Sequence, residues 1–149
     1  MSFLGRAEAM LRRVRADHLS ALYKYLAIES GETIDLRATM GQATVESDGQ
    51  TIIYADAVDF IIDRWASDHK AKEPKPGDLL VCVSTYPDYE DQGLAESSYS
   101  EFVAMAVEGD WPFVEYEVLS LAGQRCWQPH GQDGLSWRVH AKVVRRHHG

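Results

Sequence analysis

A chain of 149 residues, 45% of them hydrophobic and 26% charged, fits one domain. At that length a single core buries about 68–70% of the surface of the unfolded chain, so neither disulfides nor a structural metal are needed. A formal charge of −8 argues against a dedicated nucleic-acid binder, whose affinity comes mainly from neutralising phosphates with Lys and Arg.

No apolar run approaches the roughly 20 residues of a membrane-spanning helix, and the first residues lack an export signal, so the expectation is a soluble chain, cytoplasmic when made. Net charge hides an asymmetry. Between Lys75 and Arg125 there is no Lys or Arg, yet ten acids occur, whereas Arg6, Arg12, Arg13 and Arg15 crowd one end and Lys142, Arg145 and Arg146 the other. Such segregation suits a solvated acidic surface or electrostatic steering between unlike faces of neighbouring copies. Cys82 and Cys126 have no partner at metal-ligand spacing and read as small hydrophobes made in a reducing compartment.

In residues 1–17, Phe3, Leu4, Ala7, Met10, Leu11 and Val14 recur at helical spacing behind a possible Ser2 cap, which predicts an N-terminal helix docking one face on the body. The arginines mostly fall off that stripe, making Arg12 and Arg13 candidates for meeting a partner. Residues 19–83 hold the first strands. Tyr23, Tyr25 and Ala27 alternate in a strand over 19–29, Gly31 lies in a turn, and Thr33 to Val45 forms a second strand broken near Gly41.

Asp48-Gly49 marks the next turn, followed by a short strand at Thr51–Tyr54 and another over Ala57–Asp63. The polar stretch from Trp65 to Glu73 leads into Pro74-Lys75-Pro76-Gly77-Asp78, a connector. Leu79 to Val83, apolar throughout, reads as a strand covered on both faces.

Residues 84–112 read as an acidic insertion or long loop. Tyr86 to Glu101 has few aliphatic residues, so this part is expected to be mobile until partners order it, with Tyr86, Asp88, Tyr89, Glu90 and Asp91 as docking candidates. Phe102 to Val107 reads as a strand.

Closing strands occupy residues 113–144: Tyr116 to Leu119, a turn at Ala122-Gly123-Gln124, Cys126-Trp127, a turn at Gly131-Gln132-Asp133-Gly134, and a final strand over Leu135–Val144. In that strand Leu135, Trp137, Val139, Ala141 and Val143 alternate with Ser136, Arg138, His140, Lys142 and Val144. The first set predicts a core face and the second a solvated one.

Trp127, the polar turn and the strand Trp137-Arg138-Val139-His140-Ala141-Lys142 together resemble the C-terminal half of tailed-phage head-tail joining proteins, also called head-closure or stopper proteins. The family's ending is a tryptophan, a polar loop and a strand reading Arg, Ile or Val, His, Thr, Lys; Ala141 stands where threonine is usual. Upstream, Gly31 to Thr39 resembles the family's first hairpin, Val58 to Ile62 its next strand, and Pro76-Gly77-Asp78 the turn before the following one. Departures are the insertion at about 84–112 and Gln128-Pro129-His130 after the tryptophan.

The resemblance implies a structural protein of the virion neck, made in the host cytoplasm. It would assemble as a ring between portal or adaptor and tail and close the DNA-filled head. No catalytic residue, metal or cofactor is implied, and passing DNA is met only non-specifically.

Spacing signatures for serine hydrolases, phosphate loops, dinucleotide sites and zinc proteases do not occur. The enzyme alternative uses Cys126, His130 and His140, an imidazole activating a thiol or joining Asp133 on a metal. A ligand-binding β-barrel is the other alternative. Either way the expected fold is mainly β: a small antiparallel barrel or sandwich of about six to eight strands with an N-terminal helix.

Overall fold

The computed structural model describes residues 20–63, 73–87, 89, 91–131 and 136–148, with Ser47 and Asp63 described by their backbone alone. The expected N-terminal helix and the turn residues 132–134 lie outside the described residues. Strands β1 (Ala21–Ala27), β2 (Glu32–Ser47), β3 (Gln50–Asp63), β4 (Leu79–Cys82), β5 (Phe113–Val118), β6 (Trp127–His130) and β7 (Ser136–His147) make the fold mainly β. A 3-10 turn at Leu94–Glu96 and helix α1 (Tyr99–Glu108) lie between β4 and β5.

All seven strands join one antiparallel sheet in the order β3-β2-β1-β4-β5-β7-β6, and β3 also pairs with β7, so the path from β3 through β2, β1, β4, β5 and β7 returns to its start. Period-two alternation then turns one residue in two from every strand of that circuit into a single cluster. Tyr23 and Tyr25, Leu36 and Ala38, Phe60 and Ile62, Leu80, Tyr116 and Val118, and Trp137, Val139 and Ala141 meet there with Cys126. At its centre the Phe60 ring takes Tyr23 and Tyr116 edge-on, each at 5.1 Å between centroids.

Turn chemistry sets the strand boundaries. Gly31 (φ 75°) closes the β1–β2 connection, and Asp48 (φ 52°) with Gly49 (φ 77°) closes the β2–β3 hairpin, both positions needing the left-handed region. The break expected at Gly41 does not occur, because Gly41 pairs with Asp59 inside the β2–β3 ladder. Instead the register shifts one residue later: Gln42 pairs with Val58 and Ala43 with Tyr54, leaving residues 55–57 as a bulge. The two short strands expected at 51–54 and 57–63 are therefore one strand, β3, with a bulge in the middle.

Two further clusters cover the outer face of the sheet. Val81, Val83 and Phe113 pack under Tyr89, Tyr99, Phe102 and Ala106, while Ala43, Val45 and Ala57 pack with Leu121. The first requires a correction, since residues 102–107 are helix and not strand. Ser98 caps α1 reciprocally: its hydroxyl accepts from the Glu101 N–H at 3.2 Å, and its own N–H donates to Glu101 Oε1 at 3.3 Å. Tyr99, Phe102 and Ala106, spaced by three and four, make the buried stripe. Asp110 (φ 52°) ends the helix, and the Trp111 N–H donates to the Ala106 carbonyl at 2.8 Å.

Candidate functional site

The residues that carry the family resemblance sit on the paired strands β6 and β7. Trp127 pairs with Val139 and Pro129 with Trp137, so the two indoles approach to 5.8 Å between centroids. Trp137 is buried in the inner cluster, whereas Trp127 is half-buried, with its indole N–H donating to Glu73 Oε1 at 3.0 Å and the Arg125 guanidinium 4.0 Å above its ring. Both tryptophans fasten the edge strand β6 to β7.

The opposite face of β7 is not the solvated face expected. Ser136 is 2% and His140 1% exposed, and only from Lys142 onward does this face open. The cause is Asp59, the cross-strand neighbour of His140 on β3, itself 1% exposed. Its Oδ1 lies 2.5 Å from His140 Nδ1, while its Oδ2 accepts from Arg138 Nε at 2.6 Å and from the Thr44 N–H at 3.3 Å. That last bond ties β2, just beyond its register shift, to the cluster. A carboxylate that already accepts from Arg138 and Thr44 makes His140 Nδ1 the donor in their bond, and His140 Nε2 stays buried with no hydrogen-bond partner among the described residues.

Cys126, His130 and His140 do not converge. The Cys126 thiol belongs to the inner cluster and donates to the Pro74 carbonyl at 3.4 Å, while the His140 imidazole is on the outer face with Asp59; the two residues share only a backbone bond, His140 N–H to Cys126 carbonyl at 2.8 Å. Burial pushes the Cys126 thiol above its ordinary range, the reverse of what a nucleophile needs. His130 ends β6 opposite Ser136, and Asp133 lies outside the described residues. Among the described residues no three His, Cys, Asp or Glu side chains are grouped to hold a metal ion.

The docking candidates in the acidic segment are also rearranged. Tyr89 is 4% exposed; its hydroxyl donates to Asp35 Oδ2 at 2.6 Å, and its ring packs against Phe102. Tyr86 is half-buried between Phe102 and Trp111. Asp91 is exposed, and Asp88, Glu90, Arg12 and Arg13 lie outside the described residues. The clamp is Lys24 of β1, whose side chain is fully buried. Its ammonium donates to Asp35 Oδ1 at 2.7 Å and to the Ala95 carbonyl at 3.4 Å and stands 5.4 Å from the Tyr89 ring centroid. The described part of the segment is thus packed onto the sheet by its own tyrosines.

Lys24, Asp35, Asp59 and Asp78 escape sequence reasoning. Asp78 accepts from the Tyr25 hydroxyl, the Ile28 N–H at 3.1 Å and the Lys75 N–H at 3.0 Å, tying the connector before β4 to the end of β1. A signal existed for two of them: Lys24 stands between Tyr23 and Tyr25, and Asp59 between Val58 and Phe60, so each is a charge on the second face of a strand with a strongly apolar first face. Comparison with protein-family models, with curated proteins and with solved structures returns no match to this chain.

Proposed function

We propose that the chain is a structural head-tail joining protein of a tailed phage or prophage. It forms a ring between portal or adaptor and tail, closes the DNA-filled head, and needs no cofactor. The observation that carries this reading is the placement of the family-like ending: its tryptophans join β6 to β7, and its Arg138 and His140 are tied to Asp59, so these residues serve the packing of the sheet. The other resembling blocks fall in order on β2, on β3 and on the turn before β4. In its finer form the fold reads as a small barrel, six strands closed through β3 and β7 with β6 as an appended edge.

A rigid closed sheet suits a ring subunit, which must present two different faces to its neighbours. The test is disruption of the gene in its phage or prophage, with complementation in trans. DNA-filled heads that carry no tails and leak their DNA, rescued by the intact gene, are expected. Tailed, infectious particles in its absence overturn the reading.

A further inference from the structure

At one end of the strand circuit, where β4 finishes, β5 begins and β7 finishes, an open pocket of about 300 Å³ lies between Cys82, Thr85, Phe113, Tyr116, Arg146 and His147. The register of β5 with β7 explains the guanidinium at this place. Glu115 pairs with Arg145 but Tyr116 pairs with Val143, so the ladder skips Val144. That skip sets Arg145 opposite Glu115 and Arg146 opposite Val114, a residue that packs against the inner cluster. Cross-strand partners share a side of the sheet, so the apolar inner face ends here in a cation.

Among the described residues Arg146 has no ion-pair partner, unlike Arg138, which holds Asp59, and Arg145, which stands opposite Glu115. None of the described lining residues is an acid, in a chain whose formal charge is −8. Tyr116 is 9% exposed, and its hydroxyl makes no hydrogen bond among the described residues, whereas those of Tyr25, Tyr89 and Tyr99 each donate to a carboxylate. Burial pushes the Tyr116 phenol above its ordinary range and the Arg146 guanidinium acts against that rise, so at neutral pH the phenol is a proton donor with a cation beside it. Phe113 and His147 stack with 5.2 Å between centroids and 27° between planes, which gives the pocket a flat wall. We infer that this pocket binds a small anionic ligand, an oxyanion group on a compact aromatic body: Arg146 pairs with the oxyanion, the Tyr116 and Thr85 hydroxyls donate to it, and the body lies against Phe113 and His147. A guanidinium fork suits a carboxylate or a phosphate equally, since both offer it two oxygens. The volume, at the lower end of the roughly 300–1,000 Å³ of small-molecule sites, limits the body to about one ring.

Binding here is a property of the single subunit and does not depend on the ring reading. Phenyl phosphate, benzoate and uncharged phenol are titrated separately into the untagged full-length protein and followed by amide NMR shifts. The expected result is saturable binding of phenyl phosphate or benzoate, with shifts centred on residues 82–85, 113–116 and 146–148 and none that saturate with phenol. The tighter of the two anions identifies the oxyanion as phosphate or carboxylate. Arg146→Gln is expected to weaken binding about tenfold or more, as loss of a charge-assisted pair does, and Tyr116→Phe to weaken it less. Arg145→Gln, which removes the same charge from the outer face, is expected to leave it unchanged. No saturable binding of either anion up to about 10 mM, phenol binding as tightly as the anions, or equal weakening by Arg145→Gln and Arg146→Gln overturns the inference. A second readout needs no variant. Cys82 lines the pocket, so saturating anion is expected to slow its alkylation by iodoacetamide, and unslowed alkylation overturns the inference as well.

Discussion

Replacing Asp59 by Ala removes the one carboxylate on which His140, Arg138 and Thr44 converge, and the structure allows the cost to be built up group by group. His140 is 1% exposed, so its Nδ1–H has no water to turn to, and an orphaned buried donor costs about 1–3 kcal/mol. Arg138 is 32% exposed and recovers much of its lost partner from solvent, so its ion pair adds little. The Thr44 N–H loses its acceptor, and β2 with it loses its tie to the cluster. Together these place Asp59→Ala at about 2–4 kcal/mol, most of it from the orphaned buried donor. Urea unfolding followed by tryptophan fluorescence measures it, provided the slope is unchanged. The decisive comparison is Asp59→Leu with His140→Leu, which leaves neither group orphaned and should cost less than the two single changes summed, with a coupling of about 1–3 kcal/mol. Additive costs, or a loss below about 1 kcal/mol for Asp59→Ala, would refute the account of this face as a coupled buried cluster.

Lys24→Met keeps the aliphatic stem and removes the ammonium; because Asp35 is 18% exposed and retains the Tyr89 hydroxyl, the expected loss is about 2–3 kcal/mol, with faster proteolysis in residues 84–98. Unchanged cleavage there would show that Lys24 is not the clamp. The Tyr25 and Tyr99 hydroxyls, both buried and both donating to carboxylates, have pKa values raised well above the ordinary 10.0. Above pH 10 the unfolded chain therefore binds fewer protons than the folded one, so this contribution to stability is complete below pH 10 and is lost as pH rises beyond it. Melting at pH 8 and pH 11 should show the fall, smaller in Tyr25→Phe, and an equal fall in that variant would remove Tyr25 from the explanation. Iodoacetamide should label the half-buried Cys82 before Cys126, whose thiol is 3% exposed and pushed up by burial; the reverse order would restore Cys126 as a reactive group.

Inner-face residues were legible because alternation acts locally. Tyr23 and Tyr25, Phe60 and Ile62, and Trp137, Val139 and Ala141 each announce their side of a strand without reference to any neighbour. The fate of the other side is a tertiary matter. His140 meets Asp59 across 81 positions of sequence, and Thr44 beyond the register shift donates to the same carboxylate, neither of which a strand pattern encodes. The helix at Tyr99–Glu108 was hidden differently. Its apolar run reads as a strand when scanned from Phe102, yet Ser98-x-x-Glu101 was a capping box in plain view, and from Tyr99 onward the spacing is helical. Composition also misled at Tyr86 and Tyr89, since a segment poor in aliphatic residues can still anchor itself through two tyrosines.

Most of the described acids between Lys75 and Arg125 divide into two kinds. Asp78 and Glu115 accept hydrogen bonds from buried tyrosines, and so belong to the architecture. Asp91, Glu96, Glu108 and Asp110 are exposed along the α1 layer, and Glu101 is exposed while capping the helix. The cations Lys142, Arg145 and Arg146 are exposed on β7, where Arg145 stands opposite Glu115 in the ladder. Among the described residues the two signs meet where Arg145 stands opposite Glu115, at the edge of the α1 layer. A contact between copies built on charge has to match the acidic helix layer of one subunit with cations elsewhere on the next.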